Sequence, residues 1–158
     1  MAEAPNAAGE KAPPRARAAE ATARIPALPA GVFAFERFVD GLAFAGAGER
    51  HRLKLAGSEI FDNIMHHATP LEDGTVIVRA ARRGGSLFLA FHFKSRTFAA
   101  YAASCADEGA DAEGPTFDRE RRRWRGIGLR MCRNLALSVR FRSGGRLDRI
   151  YLRFSPSD

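Results

Sequence analysis

Glu59, Asn63 and His67 stand four residues apart in the sequence. Steps of four stack side chains on one side of a helix, one turn above the next. A carboxylate, an amide oxygen and an imidazole in such a row suit a metal–phosphate site. The hard Asn63 oxygen is a Mg²⁺ ligand by type, in a coordination sphere usually completed by waters and phosphate oxygens. Glu59 is placed to accept a proton from a hydroxyl or water attacking a phosphate. The same spacing also describes a solvated helix flank with His67 at its C-terminal turn, and spacing alone does not choose between the two.

A second candidate is the run Gly126-Ile127-Gly128-Leu129, which follows a basic loop and enters a helical pattern. Glycines let backbone approach a phosphate closely, and a helix N-terminus offers free N–H groups. Arg121, Arg122, Arg123 and Arg125 would add charge-assisted bonds to phosphate oxygens. An ordinary turn before a helix explains the two glycines equally well. His66, His67 and His92 lack the carboxylate–histidine spacing of a transition-metal site. Ser58 and Cys132 lack a recognisable acid–base partner for nucleophilic work.

The elements that must position these residues follow from periodicity. Phe35, Phe38, Val39 and Leu42 predict a first helix, stopped by Gly46 and Gly48. Leu53, Ala56, Ile60 and Ile64 predict a second, from about Glu49 to His67, so it carries the first candidate row. After Asp73-Gly74 the period becomes two: Thr75 to Arg82 and Ser86 to Phe93 predict strands around a turn at Arg83-Gly84-Gly85. Residues 95–105 are Ala-rich and helix-compatible, and 106–118 are acidic and loop-like. A helix is expected from the glycine run to about Ser138, and then a hairpin of Val139 to Arg142 with Leu147 to Phe154. Inward positions there are Val139, Phe141, Ile150, Leu152 and Phe154. Residues 1–24 contain no large apolar side chain after Met1 and predict a disordered tail. Ile25 to Leu28 would add a short edge strand ahead of a single domain over 25–158. The expected architecture is an α+β two-layer sandwich, helices on one face of a mostly antiparallel mixed sheet.

Composition narrows the classes. The chain has 158 residues, enough for one core and too few for two. No apolar run is long enough to span a bilayer. Its N-terminal segment has acidic residues and no continuous apolar stretch, which argues against a secretory or organelle leader. Two cysteines make no disulfide scaffold, and a cytoplasmic setting is expected. Charge is segregated: Arg119 to Arg153 holds twelve arginines against Glu120 and Asp148, just after the acidic residues Asp107, Glu108, Asp111, Glu113 and Asp118. Nucleic acid, bound phosphate, an acidic protein or simple solvation would each suit such a run.

Leu53 to Ala68 (LKLAGSEIFDNIMHHA) resembles the N box of the GHKL, or Bergerat-fold, histidine-kinase-like ATPases, in the form found in bacterial anti-sigma-factor serine kinases. Arg125 to Phe154 resembles their closing glycine box, helix and hairpin. The resemblance spans about residues 25–154. It implies Glu59 as general base and Asn63 as Mg²⁺ ligand. It places ATP contacts on Asn63, His67, Phe93, Ser95, Thr97, Arg125, Gly126, Ile127, Gly128 and Leu129. It further implies partner switching with a sigma factor and a STAS-type antagonist, serine phosphorylation of the latter, and a homodimer.

One motif departs. The family's Asp-x-Gly-x-Gly, whose Asp receives the adenine amino group, is matched here by Phe93-Lys94-Ser95-Arg96-Thr97. Losing that acceptor should cost about 1–3 kcal/mol, roughly tenfold to a hundredfold in affinity. Phe93 also continues the apolar alternation of Leu87, Leu89 and Phe91. Trp124 replaces a further glycine. The expected function is therefore a regulatory protein of this type with ATP binding weakened or lost. A catalytically inactive protein-binding module of the same fold is the alternative, and nucleic-acid binding through the arginines ranks third.

Overall fold

The computed structural model describes residues 19–68, 74–106, 116–118, 123–125, 127–144 and 146–156. The elements run β1 (Ala19–Pro26), α1 (Pro29–Asp40), α2 (Ala47–His67), β2 (Thr75–Arg83), β3 (Ser86–Phe93), α3 (Phe98–Ala106), β4 (Thr116–Asp118), β5 (Arg123–Arg125), α4 (Ile127–Leu135), β6 (Ser138–Arg142) and β7 (Asp148–Phe154). Five strands form one open sheet in the order β1-β2-β3-β7-β6, and β4 pairs separately with β5.

Every pairing in the large sheet is antiparallel, so the mixed sheet expected from sequence is corrected. The reason lies in one insertion. β3 and β6 run in the same direction, but β7 returns from the β6 hairpin into the slot between them, and no parallel pair becomes hydrogen-bonded. The edge strand also starts earlier than expected, at Ala19, and pairs residue by residue with β2 from Ala19↔Arg82 to Pro26↔Thr75. Residues 19–24 therefore belong to the sheet rather than to a tail. The remainder of that tail lies outside the described residues.

Alternation sends one set of strand side chains to the helices. Val78, Leu89, Phe91, Phe93, Ile150, Leu152 and Phe154 are fully buried there with Phe35, Val39, Leu53, Ile60, Phe61 and Ile64. The α2 stripe expected from sequence thus faces the sheet. Gly57 has a specific use: a Cβ there would overlap the Phe35 ring and come 3.0 Å from Leu89, so its absence lets α1 lie directly on α2. Among the described residues, the helix side chains of this core all lie on that one side of the sheet.

Candidate functional site

Glu59 leaves α2 toward α4. A Cβ built on Gly128 would overlap its carboxylate, lying 2.7 Å from Cδ, so the bare glycine is what allows the acid to sit against the first turn of α4. One turn further along α4, the buried Cys132 thiol donates to the Ala56 carbonyl of α2 at 3.3 Å. One residue of each sequence candidate, Glu59 of the helix row and Gly128 of the glycine run, therefore meets the other at this junction.

Its electrostatics are those of a confined carboxylate. Burial, then the neighbouring Asp62 charge, raises the Glu59 pKa above the ordinary carboxylate value. Cys132 is pushed up to about 12 by burial and by Glu59, which keeps it a thiol and removes it as a nucleophile. Glu59 opens on a groove of about 300 Å³ lined also by Glu36, His51, Lys54, Ser58 and Met131. Ser58 Oγ is buried in that wall without a hydrogen-bond partner among the described residues.

The rest of the row is less confined. Asn63 is half-buried on α2, and His67 is exposed at the helix end, where its carbonyl accepts the Thr97 hydroxyl at 2.8 Å. Among the described residues no group of three or more His, Cys, Asp or Glu side chains converges as a metal site. Leu129 is half-buried in α4; Arg125 lies in β5, opposite Thr116, and Ile127 opens α4. Gly126 lies outside the described residues.

The end of β3, where the sequence match puts the purine-binding motif, is apolar and lies in the core rather than in the Glu59 groove. Phe93 is 1% exposed and meets Phe98 edge-on at 4.9 Å between centroids; Phe98 in turn approaches Phe141 at 6.5 Å. Ser95 and Thr97 are committed locally. Ser95 Oγ accepts the Thr97 and Phe98 amides, each at 3.1 Å, which satisfies two orphan donors at the start of α3. The Ser95 amide donates to Asp148 Oδ2 at 3.2 Å, while Asp148 Oδ1 accepts the Ser143 hydroxyl at 2.8 Å. Asp148, only 7% exposed, was legible in sequence merely as one acid among many arginines. The signal that marks it is register: it pairs with Phe93 and shares its face.

No family model and no curated protein matches the chain.

The junction offers a carboxylate against Gly128 in the first turn of α4. The buried Phe93–Phe98–Phe141 cluster, with Asp148, Ser95 and Thr97 hydrogen-bonded locally, does not fit an adenine ring, so no chemical step through a nucleotide follows from these residues.

The raised Glu59 pKa has a testable sign. In the fold Glu59 holds its proton above 4.5, so the stability it contributes is full below that pH and is lost as pH rises through the folded pKa. Glu59→Gln is therefore expected to raise the thermal midpoint at neutral pH and to lose that advantage below pH 4.5. Melting curves at the two pH values measure it; an equal difference at both would disprove the linkage.

Proposed function

We propose that this chain is a regulatory binding module resembling the anti-sigma-factor serine kinases, working through protein contacts with ATP affinity weakened or lost. The partners this reading implies are a sigma factor and a STAS-type antagonist. Three features support it: an N-box-like helix carrying Glu59 and Asn63, a glycine at Gly128 against that Glu59, and helices on one face of an antiparallel sheet. Phe33 on α1 is 70% exposed, an aromatic of the type that protein partners bury as an anchor.

The observation that carries the reading is Phe93, a fully buried ring packed on Phe98 at the sequence position that the resemblance matches to a purine-binding Asp. Removing that acceptor and filling its space acts on ground-state binding, which phosphoryl transfer needs before any positioning of the terminal phosphate.

Calorimetric titration with Mg²⁺-ATP tests this, with Asn63→Ala as control. The expected result is no saturable heat in either protein. Sub-micromolar binding that disappears in Asn63→Ala would overturn the reading in favour of an active serine kinase.

A further inference from the structure

The strand positions that point away from the helices form one continuous surface. Across β1-β2-β3-β7-β6 the rows are Arg24–Ile77–His92–Arg149–Arg142, then Thr22–Arg79–Ala90–Tyr151–Arg140, then Glu20–Ala81–Phe88–Arg153–Ser138. Arg83 follows at the end of β2. These positions hold seven arginines and a single carboxylate, Glu20, which lies 3.8 Å from Arg83. Topology thus brings Arg24, Arg79 and Arg83 onto one face with four arginines of the C-terminal run.

The centre of that face is aromatic. Phe88 and His92 lie on β3, the central strand, and Tyr151 on its neighbour β7, and all three are half-buried. His92 meets Tyr151 edge-on at 6.0 Å, and the Arg153 guanidinium stands 5.9 Å over the Phe88 ring. A groove of about 350 Å³ runs over Phe88, Tyr151, Ser138, Arg140, Arg142 and Arg153. Burial together with Arg79 and Arg149 lowers the His92 pKa, which keeps the imidazole neutral and able to stack at neutral pH.

We propose that this open sheet face binds single-stranded nucleic acid, with its arginines on phosphates and Phe88, Tyr151 and His92 stacking on bases. Every cationic residue at these strand positions is arginine, whose planar fork grips two phosphate oxygens at once and stacks flat on rings, while lysine is a compact point charge. Half-buried aromatics at the middle of a sheet, flanked by cations, provide the two things an unpaired strand offers partners for, base faces and backbone charge. An acidic polypeptide would answer the charge and leave the rings unmatched. A second copy of the chain is disfavoured here, because a two-fold contact sets each patch against itself and would oppose like charges. This inference does not depend on the nucleotide pocket, and either can fail alone.

Fluorescence anisotropy of the full chain with labelled oligothymidylate and oligouridylate tests the proposal over ~50 to ~200 mM salt. Binding is expected to fall steeply with salt. Arg142→Gln with Arg149→Gln should flatten the slope of log affinity against log salt by about 0.7 for each phosphate that is no longer neutralised. Tyr151→Leu should weaken binding by about five- to a hundredfold with the slope unchanged. Arg140→Gln, in the same groove, replaces the double variant if that one melts early. Absence of binding to both oligonucleotides at the lowest salt overturns the proposal. So does full affinity in Tyr151→Leu together with equal competition by polyglutamate, which would make the face a site for an acidic protein.

Discussion

Truncating Phe93 to alanine is expected to destabilise the protein by about 3–5 kcal/mol and to leave it without ATP affinity. The ring is 1% exposed and its edge contact with Phe98 places it in a chain of aromatics that closes on Phe141. Removing it leaves a cavity in apolar surroundings, and such cavities stay dry unless polar groups line them. The carboxylate of Asp148, the register partner of Phe93, is already engaged by the Ser95 amide and the Ser143 hydroxyl. An emptied pocket would thus hold no carboxylate aimed at a purine amine in the way the lost Asp would be. Phe93→Asp should be worse than alanine, because it sets a second carboxylate directly across the strand from Asp148, where like charges repel. Urea unfolding is the measurement: the midpoint should drop with the slope preserved. A loss below about 1 kcal/mol would mean that the ring is not core, and that the purine wall is open after all.

Much of this arrangement was written in the local pattern. The α2 stripe of Leu53, Ala56, Ile60 and Ile64 is buried as its spacing requires, and the Arg83–Gly85 turn joins β2 to β3. β1 was half-missed for a physical reason: its helix-side positions, Ala19, Ala21 and Ala23, are too small to register as an apolar alternation. It is held by backbone pairing to β2, which side-chain patterns do not report. The β4–β5 pair, at three residues a strand, is too short to show a period. For the site, helical spacing did put Glu59 and Asn63 on one helix, but the Glu59–Gly128 contact depends on where α4 packs. Asp148 and the shared arginine face stayed hidden for another reason. Both need the strand order, with β7 between β3 and β6, before residues far apart in sequence become neighbours.

Arg82→Ala is expected to cost about 3–5 kcal/mol, the range for breaking a buried ion pair from one side. Arg82 reaches from β2 to Glu49 in the first turn of α2 at 2.5 Å, and also donates to the Phe44 carbonyl at 2.8 Å and the Gly85 carbonyl at 3.2 Å. Glu49 has a second duty, accepting the Gly46 amide at 2.8 Å and so holding the N-terminus of α2. Its side chain is only 6% exposed. Arg82→Ala therefore takes the guanidinium away from a carboxylate that is almost wholly buried, whereas an exposed pair would be worth at most about 1 kcal/mol. Glu49→Leu with Arg82→Leu should recover only part of the loss: neither charge is left behind, but the Gly46 amide and the Phe44 and Gly85 carbonyls lose their partners. A double-mutant cycle by urea unfolding decides the matter: coupling above about 1 kcal/mol is expected, and additive single effects would show the bridge to be a surface pair. The consequence reaches the candidate site, because this clamp fixes the start of the same helix that presents Glu59 to Gly128 two to three turns further on.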